Sequence, residues 1–203
     1  MTKQTRSLLV IEVVLEETCR RLIDEDESLI RIPDICESTG VNYGSVYHHF
    51  GSREGLIDAA YHKMFLEYAE YDIEILRNIT EGSDTLEEFI AGMSSLAGSF
   101  STGAYRARRR ALRVRIVAAS LTRPELYEKI SATQDQVTAA VSGLVEHGQA
   151  RGWLRADLTS QSVAVMLQAL LVGRVLDDIS GRPLSADEWE PLMFVLFGAI
   201  LAS

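Results

Sequence analysis

Gly40-Val41-Asn42-Tyr43-Gly44-Ser45-Val46-Tyr47-His48-His49-Phe50-Gly51-Ser52-Arg53-Glu54-Gly55-Leu56 reads as a short helix fixed between two turns. Gly40 suits the left-handed position that closes one helix, and Asn42 can accept hydrogen bonds from the first free amides of the next. Before it, a helix over Ile32 to Thr39 is expected. Pro33 stands in its first turn, where a missing amide costs little, and Ile32, Ile35 and Cys36 share one face. Val46 and Phe50 repeat the apolar spacing after the turn. Tyr43, Gly44, Ser45, Tyr47, His48 and His49 are left facing outward.

A helix of roughly two turns does not persist alone in water. The helix opened by Ser52 as cap, with the acid Glu54 in its positive first turn, is the natural support. Two packed helices joined by a glycine-containing turn form the helix-turn-helix unit, whose second helix enters the DNA major groove with its N-terminal residues at base edges.

Ile35 through Leu56 resembles the signature of the TetR family of bacterial one-component transcriptional regulators. The resemblance includes the first two helices, the Gly-Val-Asn turn, the recognition helix ending in Tyr47-His48-His49-Phe50 and the Ser52-Arg53-Glu54-Gly55-Leu56 opening of the fourth helix. Gly148-Gln149-Ala150-Arg151-Gly152-Trp153-Leu154-Arg155-Ala156-Asp157 is similar to that family's break between its seventh and eighth helices. By this resemblance Tyr43 and Ser45 read base edges, Tyr47 and His48 contact backbone or base, and His49 contacts phosphate. Arg31 and Arg53, at the starts of the second and fourth helices, stand where the family touches phosphates. Asn42 joins the DNA-binding set at the helix start, and Gly44 permits close approach. Tyr47 and His49 could instead brace the fourth helix.

The remaining chain reads as helical throughout, so the expected class is all-α. A three-helix helix-turn-helix domain (1–52) precedes a larger helical ligand-binding and dimerisation domain (53–203), and a helix over 53–78 links them. Leu8, Ile11, Leu15 and Leu22 mark the inner stripe of the first helix. Leu56, Ala60 and Met64 would pack under the DNA-reading unit. Ser83 or Asp84 should cap the next helix, a break is expected over Ser99 to Gly103, and Pro124 should open a helix reaching about Arg151. Gly152 should end it. The last helices are expected over Ser160–Ile179 and Ala186–Leu201.

Those last two helices are apolar on more than one face, through Val163, Met166, Leu167, Leu170, Leu171 and Val175, then Trp189, Leu192, Met193, Leu196, Phe197 and Ile200. A helix apolar on several faces needs several partners. Burial in a monomer core and a two-fold four-helix interface both meet that need, and the resemblance implies the second. Met166, Leu170, Trp189, Met193 and Phe197 are the candidate dimer contacts.

The resemblance also implies a small-molecule effector in the larger domain, which relieves repression by changing the spacing of two DNA-reading heads. Arg106, Arg108, Arg109, Arg110, Arg113 and Arg115 crowd one helix, and most must lie on solvated faces. Arg109 shares the line of Tyr105, Leu112 and Ile116, so it could point inward and meet an anionic effector. Phe65, Tyr68, Phe89, Met93, Ile116 and Val141 are candidate walls, though residues of this kind are more often plain core than pocket.

Charge runs against a simple nucleic-acid binder: the net charge is −9 and the pI near 5.0. The first 55 residues hold six Lys and Arg against ten Asp and Glu, yet no acid stands between Ser38 and Ser52. A modest nonspecific affinity and a shallow salt dependence are expected. A ligand-binding or protein-interaction module on the same scaffold, without useful DNA affinity, is the alternative. No nucleophile–base pair or phosphate loop argues for an enzyme, and no cofactor is expected. Cys19 and Cys36 sit on apolar lines as small core residues, and no histidine has a ligand-spaced partner, so no metal site is expected. The N-terminus has no long apolar run or cleavage site, which leads to the expectation of a cytoplasmic protein.

Overall fold

The computed structural model describes residues 3–99 and 103–202, and the side chains within them except at 3–8, 95–99 and 104. The expected inward position of Leu8, the side chain of Leu96 and the middle of the Ser99–Gly103 break lie outside the described residues. The described elements are helical: α1 (Lys3–Asp24), a 3-10 turn (Glu27–Leu29), α2 (Ile32–Thr39), α3 (Tyr43–Phe50), α4 (Arg53–Gly82), α5 (Leu86–Ser99), α6 (Ala104–Ser120), α7 (Pro124–Ala150), α8 (Ser160–Gly173), α9 (Val175–Asp178) and α10 (Ala186–Gly198). An isolated bridge between Leu154 and Leu201 is the only extended pairing among them.

The chain divides into two compact units. The first holds Met1–Glu67 and Ala119–Ile130, and the second Tyr68–Ala118 and Ser131–Ser203. In the first, α1, α2 and α3 enclose a small core of Val14, Ile32, Ile35, Val46 and Leu56, with Leu15, Cys36, Val41 and Phe50 at its margin. The innermost line of α1 is Val14, Thr18 and Leu22 rather than the expected Ile11 and Leu15, which are only partly buried. Thr18 can occupy this line because its hydroxyl donates to the Val14 carbonyl at 2.7 Å, which satisfies the polar group inside the helix. The Cys19 thiol donates to the Ala60 carbonyl at 3.6 Å, and burial pushes its pKa up to about 12. It is a core residue, inert as a nucleophile near neutrality.

Ion pairs complete this unit. Arg123 reaches Glu27 at 2.5 Å and Asp58 at 2.8 Å, which joins the α6–α7 turn to α4 and to the 3-10 turn. Lys63 bridges Glu12 and Glu67, and Glu17 accepts from both Arg20 and Arg21.

The second unit packs around Ala69, Leu76, Ile79, Phe89, Val137, Val141, Leu144, Val145, Leu154, Val163, Ala164 and Ile200. Gly152 ends the turn after α7 at φ +73°. The chain then folds back so that the Arg155 amide donates to the Ile200 carbonyl and the Ala202 amide to the Trp153 carbonyl.

Four boundaries differ from the sequence expectation. Helix α4 runs on to Gly82. The cap of α5 is Thr85, whose hydroxyl accepts from the Glu88 amide, while Glu88 accepts from the amides of Asp84 and Thr85. Ser83 instead donates back to the Ile79 carbonyl. The expected Ser160–Ile179 helix breaks at Arg174, whose buried guanidinium stacks 4.3 Å from the Trp189 ring. Helix α10 stops at Gly198 because Ile200 and Leu201 turn toward the Trp153 segment.

Candidate functional site

The turn before α3 has the geometry its residues require. Gly40 adopts φ +69°, and its amide donates to the Cys36 carbonyl at 2.9 Å, closing α2. The Asn42 side-chain carbonyl accepts from the Ser45 amide at 2.8 Å and opens α3. Ser52 performs the same service for α4, accepting from the Gly55 amide at 2.9 Å. Val46 is buried under α3, so the eight-residue helix has a fixed inner edge and an open outer one.

On the outer edge, Tyr43 is 51% exposed and Tyr47 38%. Their rings lie 4.6 Å apart, and the Tyr43 hydroxyl donates to the Tyr47 hydroxyl at 3.0 Å. Each ring thereby restrains the other, an arrangement the i, i+4 spacing makes available on any helix. Gly44 and His48 are exposed beside them, and Ser45 and His49 are partly so. A Cβ at Gly44 would meet only the Asn42 side chain, at 3.6 Å, so the absence of a side chain there leaves the outer surface low rather than relieving internal crowding.

The two arginines differ. Arg31 is exposed at the N-cap of α2 and makes no capping bond with its side chain. Arg53 is committed internally: Nε donates to the Ile30 carbonyl at 2.7 Å, a second nitrogen donates to the Glu27 carbonyl, and Nη1 lies 3.3 Å from Glu54. No residue pattern marks this bracing, since the carbonyls of a 3-10 turn leave no trace in residue types.

The candidate effector residues do not converge on one place. Phe65 is fully buried among the residues of the first unit. In the second unit, Ile116 is fully buried and Val141 belongs to the main core. Phe89 and Met93 line a small apolar cavity of about 90 Å³ with Leu144, Leu167 and Phe197. Tyr68 and Arg109 line a different, polar cavity of about 390 Å³, with Tyr71, Asp72, Tyr105, Arg106, Arg110, Arg113 and Leu171. The Arg109 guanidinium lies 4.5 Å from the centre of the Tyr68 ring and 5.2 Å from that of Tyr71.

Among the proposed dimer contacts, Trp189 and Met193 are 9% and 2% exposed, buried within their own chain, so they cannot offer a surface to a partner. Met166 is exposed, and Leu170 and Phe197 are partly buried. The open apolar surface of α8, α9 and α10 consists instead of Val165, Met166, Val172, Leu176, Ile179, Leu192, Phe194 and Val195. Two helices apolar all round carry no mark of which stripe turns inward.

Among the described residues no three His, Cys, Asp or Glu side chains gather in a way that could hold a metal ion, and no helix is long and apolar enough to cross a membrane.

A propped two-turn helix with a hydrogen-bonding outer edge, placed after a tight glycine turn, defines a helix-turn-helix protein. The sequence profile of bacterial regulatory proteins of the tetR family matches residues 28–60, which span α2, α3 and the start of α4. The chain is 27% identical over 153 residues to the HTH-type transcriptional regulator UidR of Escherichia coli strain K12, covering 75% of this chain and 72% of that protein. Solved structures share the fold. GusR of Salmonella enterica superposes with a TM-score of 0.68 at 21% identity, covering 98% of both chains. A protein of Mesorhizobium loti described as a TetR-family transcriptional regulator gives 0.76 at 14% identity over the whole of both chains. A transcriptional regulator from Saccharomonospora viridis, solved in complex with choline, gives 0.73 at 17% identity, covering 95% of this chain and 98% of that one. Residues 28–60 thus match the tetR family of bacterial regulatory proteins in sequence, and the chain as a whole shares the fold of TetR-family transcriptional regulators.

Proposed function

We propose that this regulator is a cytoplasmic homodimeric repressor that reads a palindromic operator and is released from it by a small molecule held in the second unit. The observation that carries the reading is the outer edge of α3, where Tyr43 and Tyr47 hold each other in place beside Gly44 and His48 on an acid-free segment. In this reading Tyr43 and Ser45 meet base edges, Tyr47 and His48 meet base or backbone, and His49 and Arg31 meet phosphate. Gly44 permits close approach of the helix, and Asn42 sets its start. Arg53 contributes by holding the 3-10 turn through its carbonyls, with Nη1 on its outer side.

The functional division falls at 52/53, with α4 as the link. That helix is continuous from Arg53 to Gly82, and its residues pass from the first compact unit to the second after Glu67. Dimerisation through the exposed stripes of α8 to α10 gives those apolar residues a partner. A dimer also brings two recognition helices to successive turns of one DNA face. The choline complex of the Saccharomonospora viridis protein supports small-molecule binding on this scaffold. Release follows if the effector binds the DNA-incompetent arrangement more tightly, and DNA must then weaken effector binding by the same factor.

The test is selection of random duplex DNA by the purified protein at two salt concentrations, with sequencing of what is retained. An enriched palindrome supports the reading. Absence of any enrichment by a folded dimer, with and without candidate effectors, favours a binding module without DNA affinity, the alternative that the acidic first 55 residues suggest.

A further inference from the structure

We propose that the polar cavity of the second unit is a receptor for a small organic oxyanion, a carboxylate or a phosphate monoester, and that Asp72 is the internal counter-ion which this anion displaces. The proposal rests on the ligand-responsive reading above and adds to it the chemistry of the ligand. Arg109 carries the argument. Its guanidinium is stacked against Tyr68 and Tyr71, so the plane is positioned before any ligand arrives. Its nearest acid, Asp72, stands 3.8 Å away, within ion-pair range but beyond a hydrogen bond. The planar N–H fork of an arginine held in this way matches the two oxygens of a carboxylate or phosphate.

The neighbouring charges decide the sign of the ligand. Arg110 is closed off by a bidentate pair with Asp178, at 2.5 and 2.6 Å. Arg113 lies 3.1 Å from the same Asp72 that faces Arg109. Arg106 adds a further guanidinium to the wall, and Asp72 is the one acid among the lining residues. With Arg110 set against Asp178 and Arg113 against Asp72, the guanidiniums of Arg106 and Arg109 leave the cavity wall with excess positive charge. Among the described lining residues the wall offers tyrosine rings and Leu171 as the sole aliphatic residue, which favours a polar or aromatic ligand body over an alkyl chain. A volume of about 390 Å³ falls in the range of small-molecule sites.

An anion arriving at Arg109 and Arg113 competes with Asp72, a residue of α4, while both arginines belong to α6. Binding thus exchanges an α4–α6 ion pair for two ligand contacts. Any change in α4 on occupancy begins at this exchange.

Calorimetric titration of the full-length protein tests the proposal with four probes: phenyl phosphate, inorganic phosphate, benzoate and phenol. Phenyl phosphate or benzoate is expected to saturate at one per chain and to weaken as salt rises, and their ratio identifies the preferred head group. Inorganic phosphate is expected to bind more weakly, and phenol not at all. Arg109→Met should weaken the better probe at least tenfold, whereas Asp72→Asn should tighten it several-fold. An Arg106→Met variant, with milder expected loss, guards against misfolding of the first, and thermal melts of all variants report their integrity.

Three results would overturn the proposal: no saturation by either anion, phenol binding as tightly as the anions, or Asp72→Asn weakening the anion as Arg109→Met does. Operator binding is read separately by anisotropy. Saturable anion binding that leaves operator affinity unchanged supports the site while removing the release reading. Intact operator binding without anion binding removes the site alone.

Discussion

Replacing Asn42 by Asp separates the folding role of this position from its place at the DNA surface. The side-chain oxygen accepts from the Ser45 amide at 2.8 Å, so it satisfies one of the orphan donors at the start of α3. Asn42→Ala removes that acceptor at a cost of about 1 kcal/mol, and an eight-residue helix has little else to hold its first turn. Asp caps as well as Asn, and a negative charge at a helix N-terminus adds roughly 0.3–1 kcal/mol. Asn42→Asp should therefore fold as stably as the parent or more so. On DNA the same charge faces phosphates. At a separation of about 6 Å in water, each phosphate opposes it by about 0.7 kcal/mol, and two together reduce affinity roughly tenfold per head. Melting by circular dichroism reports the first effect, and fluorescence anisotropy with the selected operator across a potassium chloride series reports the second. Stability equal to the parent with unchanged operator affinity at low salt would refute the placement of the α3 N-terminus against the phosphates.

Four further outcomes are expected. Combined Tyr47→Ala and His48→Ala should lower operator affinity by about a hundredfold, since each base or backbone contact is worth about 1–3 kcal/mol, while sedimentation shows the dimer unchanged. Val195→Glu, at a position 70% exposed in one chain, should leave the fold intact and convert the dimer to monomer, because an unpaired charge buried in an interface costs about 3–5 kcal/mol. Met193→Ala, at a position 2% exposed, should instead destabilise the fold by about 2–5 kcal/mol. The hydrogen bond from Arg20 and, against the opposing effect of burial, that from Arg21 hold the Glu17 carboxyl near a pKa of about 2, below its ordinary 4.5. A carboxylate with a lowered folded pKa stabilises the protein above its ordinary pKa, and that contribution is lost as pH falls from 4.5 toward 2. The stability difference between parent and Glu17→Gln should therefore shrink across that window, and a difference that stays constant with pH would contradict the pairing.

The first unit was more legible than the second because its signals are local. Gly40, Asn42 and Ser52 each act on backbone groups within a few residues, so residue type and position suffice to place α2, α3 and the start of α4. What escaped were contacts made across the fold. Arg53 stands where the resemblance implies a phosphate contact, and its bonds to carbonyls 23 and 26 residues away are the part no residue pattern announces. Arg123 carried no motif, yet it joins Glu27 and Asp58. The inner stripe of α1 was misplaced because Thr18 can be buried only when its hydroxyl turns back on the helix, which periodicity of apolar residues does not register. Arg109 shares a line with Tyr105, Leu112 and Ile116, and that line runs inward only at Leu112 and Ile116, since Tyr105 is 72% exposed. The six other effector candidates were chosen for being apolar and helical, a property shared by core and cavity wall alike, and they scattered accordingly.

The acidity of the chain bears on binding less through its total than through where the acids are spent. Glu12 and Glu67 are held by Lys63, Glu17 by Arg20 and Arg21, and Glu27 and Asp58 by Arg123. Asp26 accepts from the Ser28 amide. Each partner cancels much of the field that a phosphate would feel, and charges more than about 8 Å away are screened at physiological salt. The acid-free run from Ser38 to Ser52, with the helix N-terminus at Asn42 and the exposed Arg31, can therefore present a locally favourable surface on a protein of net charge −9. The cations spent on internal acids are not available to displace DNA counter-ions. On the proposed reading, in which Arg31, His49 and the α3 amides are the phosphate contacts of each head, few counter-ions leave on binding. The slope of log affinity against log salt should lie nearer to about −4 than to about −10. A slope at the steep end would mean that Arg20, Arg21, Arg53 or Arg123 exchanges its internal acid or carbonyl for phosphate in the complex. Substituting each in turn and measuring the change in slope would identify which one does so.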